Sequence, residues 1–172
     1  ARRYAEPYRQ AAQFLYLNRT CFNGLYRENL KGQFNVPIGS KTQVILVDDD
    51  FQKASELLAR ADLRTSDFEP IVDEAREGDL LFLDPPYTTA HNCNGFVKYN
   101  QKIFTWDDQK RLMNAVSGAK RRGAKVVLTN ADHASIHTLY GDLGAPQVVS
   151  RPSVIAGSAN SRRGTTEVLF VF

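Results

Sequence analysis

The run Gly78-Asp79-Leu80-Leu81-Phe82-Leu83, followed at once by Asp84-Pro85-Pro86-Tyr87, constrains this chain more than any other stretch. Four apolar residues bounded by Gly-Asp and Pro-Pro predict a short buried strand that stops abruptly. Proline has no N–H for a sheet ladder and fixes its own φ, so the backbone is set just past the strand end. The turn then presents one carboxylate, one proline carbonyl and one aromatic ring at the carboxyl edge of a sheet. That is the edge at which open α/β sheets bind ligands. The trio suits a flat base that carries an exocyclic amino group. Asp84 and the Pro85 carbonyl can accept from the NH2, and Tyr87 can stack on the ring. An aromatic amine is a poor nucleophile because its lone pair is delocalised into the ring. Two acceptors on its hydrogens favour a pyramidal nitrogen that can attack an electrophilic methyl in line. Such chemistry runs on positioning and preorganised polarity. The competing reading is a strand-ending turn with a solvated aspartate.

The chain of 172 residues is long enough for one domain with a proper core. Apolar residues make up 42% and charged residues 24%, as in ordinary globular proteins. There is no apolar run of about 18 residues and no signal-peptide pattern, which argues against membrane insertion and secretion and for a cytoplasmic protein. Cys21 and Cys93 have no metal-ligand spacing and no disulfide framework. His91, His133 and His137 are too scattered for a zinc site, so no metal is expected. The net charge of +3 is unevenly spread. Residues 1–41 carry seven basic against two acidic side chains, residues 42–83 four against eleven, and residues 84–172 eleven against six. The two basic blocks are the candidates for phosphate contact, against the alternative of solvated helix faces.

Along the chain, residues 3–20 predict a helix with Ala11, Phe14, Leu15 and Leu17 on its apolar face. Residues 20–43 are punctuated by Asn23-Gly24, Asn29, Lys31-Gly32, Asn35, Pro37 and Gly39, and read as loop or hairpin. Residues 44–47 predict a short strand or extended segment, and Asp48-Asp49-Asp50 opens a helix through about Arg60. Asp67-Phe68 falls in a turn before a short helix at about 70–77. After the strand at 79–83, residues 88–104 form a polar loop that suits a lid. Thr105 caps a helix running to about Arg122, and Gly123 closes it. Strands are expected at 125–129, 147–150 and 166–172, with a helix at 133–141 and a polar loop at 151–164. The short link between the last two strands suggests that the final strand is antiparallel. This order reads as the second half of a doubly wound α/β sheet. No Gly-rich strand-to-helix turn of the dinucleotide-binding kind occurs in it.

Several blocks together resemble the DNA adenine methyltransferases of the Dam type. They are residues 17–27 (Leu-Asn-Arg-Thr-Cys-Phe-Asn-Gly-Leu-Tyr-Arg), residues 32–39 (Gly-Gln-Phe-Asn-Val-Pro-Ile-Gly), Asp67-Phe68 and Asp84-Pro85-Pro86-Tyr87. The resemblance runs from about Leu17 to Phe172 and corresponds to the carboxyl-terminal two-thirds of such an enzyme. It implies a Rossmann-like S-adenosylmethionine-dependent methyltransferase sheet, incomplete and lacking its first strands, with a small helical and loop DNA-recognition region. Residues 1–43 would form that recognition region and residues 44–172 the partial catalytic domain.

The resemblance also implies S-adenosylmethionine as methyl donor, and the amino nitrogen of an adenine flipped out of double-stranded DNA as acceptor. The expected target is GATC or a close relative. Asp84, Pro85, Pro86 and Tyr87 would form the catalytic turn. Asp67, Phe68 and Asp84 would line the cofactor site, with Asp67 on the adenine amino group of the cofactor and Phe68 on its ring. The helix-capping alternative for Asp67 stays open. Phe22 would wedge into the base stack. Asn23, Leu25, Arg27 and Pro37 would contact bases and backbone, Arg19 phosphate, and Lys41 would also bind the DNA. An arginine fork matches guanine, leucine and proline can press on a thymine methyl, and an aromatic fills the gap left by an extruded base.

Two other readings stand beside this one. The chain could be a catalytically inactive DNA-binding remnant of such an enzyme, or it could methylate another planar amine or amide. Because the Gly-rich cofactor turn is not among these residues, the 172-residue chain by itself is expected to bind S-adenosylmethionine weakly.

Overall fold

The computed structural model describes residues 6–29, 31–90, 104–152 and 164–172. The chain divides into two compact units, Ala1–Leu63 and Arg64–Phe172. In the first, helix α1 (Pro7–Thr20) begins with proline at its first position, where a missing N–H costs nothing. A single 3-10 turn, Phe22–Gly24, follows, with Asn23 and Gly24 both at positive φ (57° and 65°). The Asn-Gly pair supplies the two residue types that accept this conformation most readily. Residues 44–47, expected as a short strand or extended segment, belong to no strand and end in a turn at Val47-Asp48.

Helix α2 (Phe51–Leu58) starts later than the acid triplet suggested, because Asp50 is its cap and accepts from the Lys53 N–H at 2.8 Å. Asp49 instead turns back to the Arg19 guanidinium and also accepts from the Leu46 N–H at 2.7 Å. The Arg19 hydrogen bond, followed by that from Leu46, holds the Asp49 carboxyl down at about 2.

The second unit is a mixed α/β layer. Helix α3 (Phe68–Glu74) is followed by strand β1 (Leu80–Leu83), helix α4 (Trp106–Arg121), strand β2 (Lys125–Ala131), helix α5 (Ala134–Tyr140) and strands β3 (Gln147–Pro152) and β4 (Gly164–Val171). The open sheet has the order β1-β2-β4-β3. β1 runs parallel to β2, with Leu80 opposite Lys125 and Leu83 opposite Leu128. β4 is antiparallel to both of its neighbours, so the final strand inserts between β2 and β3.

Side-chain alternation sorts the sheet into two faces. Val126, Leu128, Val168 and Phe170 are buried, and they pack with Val72, Leu112, Val116, Ile136 and Tyr140 of the helical layer. Leu80, Phe82, Val149 and Val171 point the other way and stay exposed, Phe82 at 67%.

α4 is the main brace of this layer. Thr105 accepts from the Asp108 N–H at 3.1 Å, and the Asp108 carboxylate accepts from the Thr105 N–H at 2.8 Å, a closed capping box. At its other end Arg122 donates to the Ala75 and Val72 carbonyls, both at 2.9 Å, and so satisfies the last turn of α3. Gly123 then breaks the helix at φ 88°. A Cβ there would meet the Glu77 side chain at 3.0 Å.

Thr105→Ala removes the hydroxyl half of the capping box and is expected to lower stability by about 1 kcal/mol. Urea unfolding followed by far-UV circular dichroism checks this, and an unchanged midpoint would refute it. The depressed Asp49 carboxyl makes a second expectation. A carboxyl whose folded value lies below its ordinary 3.8 stabilises the fold above about pH 4 and loses that contribution as pH falls towards 2. The stability difference between wild type and Asp49→Asn should therefore narrow between pH 4 and pH 2. A difference that stays constant over that range rules out the pairing as its cause.

Candidate functional site

The backbone leaves β1 at Leu83 and enters Asp84-Pro85-Pro86-Tyr87 at the carboxyl end of the sheet, where the proline pair predicts it. Asp84 is exposed, whereas Pro85, Pro86 and Tyr87 are half-buried and Thr88 and Thr89 are buried. Asp84 and the two prolines line a cavity of about 420 Å³ together with Asp67 and Phe68, two residues 16 positions or more away in sequence. Phe82, Phe104, Asp108 and Leu112 complete most of its wall. Two of the sequence blocks therefore meet on one concavity.

Asp67 caps a helix and also faces the cavity. Its carboxylate caps α3 by accepting from the Glu69 N–H at 2.9 Å, and it lines the cavity. That cap is why α3 begins at Phe68 and not two residues later. Arg111 of α4 binds the same carboxylate at 2.8 Å, Glu69 at 2.7 Å and Asp108 at 2.8 Å, with its guanidinium 5.0 Å from the Phe68 ring centroid. The Glu69 N–H first, and then Arg111, hold the Asp67 carboxyl below the usual carboxylate range. Hydrogen bonds from Thr105 do the same for Asp108. The three carboxylates push the Arg111 guanidinium up. Phe68 in turn packs against Phe104 at 5.7 Å between centroids. Arg111 and Phe104 are the residues sequence reasoning missed here. Arg111 sits three residues after Asp108 on one helix face, and that spacing was the available signal.

Behind the turn lies a buried polar cluster. Gln109 and Asn130 are fully buried and exchange amide hydrogen bonds, Gln109 Nε2 to Asn130 Oδ1 at 3.4 Å and Asn130 Nδ2 to Gln109 Oε1 at 3.2 Å. Gln109 Nε2 also donates to the Thr88 carbonyl at 3.3 Å, and the Tyr140 hydroxyl donates to Gln109 Oε1 at 3.0 Å. Burial raises the Tyr140 phenol. The Thr88 hydroxyl donates to the Phe104 carbonyl at 2.7 Å, and the Ala90 N–H donates to the Ser135 hydroxyl at 3.2 Å. The loop that leaves Tyr87 is thus tied to α4, β2 and α5.

In the first unit the two remaining sequence blocks pair with each other. Cys21 bridges Ile38 and Glu28 bridges Phe34, both antiparallel. The Phe22 N–H donates to the Pro37 carbonyl at 2.9 Å and the Gly39 N–H to the Thr20 carbonyl at 2.7 Å. A Cβ on Gly39 would meet the Cys21 carbonyl oxygen at 2.6 Å, so only glycine fits there. Tyr26 is clasped between Phe14 at 4.7 Å and Phe34 at 5.2 Å. Phe22, Asn23, Leu25, Arg27, Pro37 and Lys41 are exposed. Arg27 Nε donates to the Asn35 side chain at 3.1 Å. Arg19 is placed differently. Its guanidinium is bound to Asp49 and to the Val44 carbonyl, at 2.5 Å for the latter, with a quarter of the side chain exposed.

Among the described residues no group of three or more His, Cys, Asp or Glu could hold a metal ion. His133 caps α5, and His137 pairs with Asp132 at 2.7 Å. No described helix is long and apolar enough to cross a membrane. Residues 91–103 of the expected lid and residues 153–163 of the expected polar loop lie outside the described residues.

Residues 2–154 match the profile of the D12 class N6 adenine-specific DNA methyltransferases. A DNA N-6-adenine-methyltransferase of Escherichia phage P1 is 40% identical over 135 residues, 78% of this chain and 18% of that protein. The type II methyltransferase M.MjaIII of Methanocaldococcus jannaschii is 34% identical over 166 residues, 95% of this chain and 57% of its own length. A DNA adenine methylase of Escherichia coli K12 is 28% identical over 167 residues, 97% of this chain and 60% of its own length. The chain spans well under two thirds of each of these relatives. On the profile match over most of its length, this chain belongs to the D12 class N6 adenine-specific DNA methyltransferase family.

Proposed function

We propose that this chain carries the recognition and catalytic parts of a site-specific DNA adenine-N6 methyltransferase. The observation that carries the reading is the meeting of Asp67-Phe68 with Asp84-Pro85-Pro86 on one cavity at the carboxyl end of β1. Its size and mixed lining suit a purine nucleoside moiety. Two aromatic rings, Phe68 and Phe104, offer faces or edges for a base, while Asp67 and Asp108 bring fixed acceptors. S-adenosylmethionine held there would supply an electrophilic methyl group. Of this chain's residues, Asp67, Phe68 and Asp84 would hold it. Sheet and helices together form part of a Rossmann-like methyltransferase domain, for which residues 44–172 are the proposed catalytic portion and residues 1–43 the recognition portion.

On this reading Asp84 and the Pro85 carbonyl accept from the amino group of a flipped adenine, and Tyr87 stacks on its ring. Pro86 fixes the backbone that aims all three. The nitrogen becomes pyramidal before attack, so no strong base is needed, and the proton leaves after the methyl has arrived. Phe22, at 57% exposure, is free to fill the gap that an extruded base leaves. Asn23, Leu25, Arg27 and Pro37 present groups for base and backbone contact, and Lys41 one for phosphate. Arg19 is the weakest phosphate candidate of the set, because Asp49 already occupies its guanidinium. GATC or a related sequence is the proposed target, in the cytoplasm of a bacterial or phage-infected cell. A catalytically inactive DNA-binding remnant is the second reading. The intact Asp84–Tyr87 turn and the cavity beside it favour the enzyme, since a mere binder needs neither.

In the protein bearing these residues at its native length, Asp84→Ala should abolish methyl transfer to duplex DNA while leaving DNA affinity within about tenfold, because its contact is specific to the reacting amine. More than a tenth of wild-type turnover in that variant would exclude Asp84 from the role. Arg27→Ala should relax discrimination at one guanine by about 1–3 kcal/mol. Binding titrations on target and scrambled duplexes test this, and an equal loss on both would end its assignment as a base reader.

A further inference from the structure

We propose that Thr129 is a positioning residue for the Asp84 carboxylate, an inference that rests on the methyltransferase reading above. Thr129 stands on β2, directly beside the strand that carries the turn. Its hydroxyl lies 2.6 Å from Asp84 Oδ1 and 3.4 Å from the Leu83 carbonyl. The hydroxyl has one proton, and the shorter, charge-assisted contact takes it. Asp84 Oδ1 is thereby occupied, and Oδ2 is left for an incoming N–H. An exposed aspartate on a turn would otherwise sample several rotamers, each aiming its oxygens differently.

The site of attachment is itself rigid. Asn130, the next residue on β2, is fully buried in the reciprocal amide pair with Gln109, and Gln109 holds the Thr88 carbonyl. Thr129 directly, and Asn130 through Gln109, therefore fasten the two ends of the segment from Asp84 to Thr88. One hydroxyl acts on the reacting carboxylate, and one carboxamide pair acts on the backbone beyond Tyr87. Thr129 touches neither the adenine nor the cofactor in this arrangement. Its effect passes through the angle at which Asp84 meets the amine, and misplacement by an ångström at a reacting centre costs up to about a hundredfold in rate.

The test uses the protein bearing these residues at its native length, with Thr129→Val and Thr129→Ser. Valine keeps the branched shape and removes the hydroxyl, whereas serine keeps the hydroxyl and removes the methyl. The single-turnover methyl-transfer rate on an adenine-containing duplex should fall about 10- to 100-fold in Thr129→Val. Dissociation constants for duplex and for S-adenosylmethionine should stay within about threefold of wild type, and Thr129→Ser should recover at least a third of the wild-type rate. Should the valine variant fail to fold by thermal melting, Thr129→Ala takes its place under the same thresholds. A valine or alanine variant with more than half the wild-type rate overturns the inference. A serine variant as slow as valine does so too, since the methyl and not the hydroxyl would then matter. A wild type that transfers no methyl to any adenine-containing duplex overturns the parent reading together with this one. Normal wild-type transfer with no loss in the variant overturns the positioning role alone.

Discussion

Gln109 and Asn130 sit side by side out of contact with water, and the geometry of the candidate site hangs on the bonds they exchange. A buried carboxamide without partners costs on the order of 1–3 kcal/mol, so each of the two is a liability without the other. Together with the Tyr140 hydroxyl and the Thr88 carbonyl they satisfy one another. Such a network permits one arrangement of α4, β2, α5 and the Asp84–Tyr87 turn, where an apolar contact would permit several. The Thr129 hydroxyl on Asp84 and the Thr88 hydroxyl on the Phe104 carbonyl add to that hold at the two ends of the segment from Asp84 to Thr88.

A second fixed point lies at Arg111. One planar guanidinium gathers Asp67, Glu69 and Asp108 and covers the Phe68 ring. Exposed ion pairs taken singly contribute little, but here the geometry links the start of α3 to the first turns of α4. Asp67 thus serves the fold and the cavity with the same carboxylate. The helix cap, one of the two alternatives the sequence left open for Asp67, is the one the structure shows, and the Arg111 bond shares the same carboxylate because it offers about four lone-pair directions.

Much of this was legible in the sequence, and for identifiable reasons. Strands β1 and β2 announced themselves by apolar runs between turn residues, and α4 by its Thr105 cap and closing Gly123. The antiparallel last strand followed from its short connection to β3. What escaped were features that depend on distance in space alone. Nothing near Gln109 or Asn130 in the chain says that they will face each other, because buried amides look like any surface amide in sequence. The Arg19–Asp49 pair was hidden for the same reason, with 30 positions between its members. Arg19 read as a free cation and Asp49 as one of three helix-opening acids. The division of labour among those three acids, one capping and one bridging, is set by where α1 ends. The blocks at 17–27 and 32–39 read as two motifs, yet Gly39 against Cys21 makes them halves of one folded object.

The sheet of the second unit is packed on one side and leaves Leu80, Phe82, Val149 and Val171 exposed on the other. Apolar surface that stays wet in the native state contributes nothing to the heat-capacity increment of unfolding, which comes from surface newly exposed. For these residues taken by themselves, the increment should therefore fall below the roughly 12–15 cal/mol/K per residue usual for globular proteins. A smaller increment flattens the curve of stability against temperature. For a given midpoint and unfolding enthalpy, the temperature of maximum stability then moves down and cold denaturation recedes further below it.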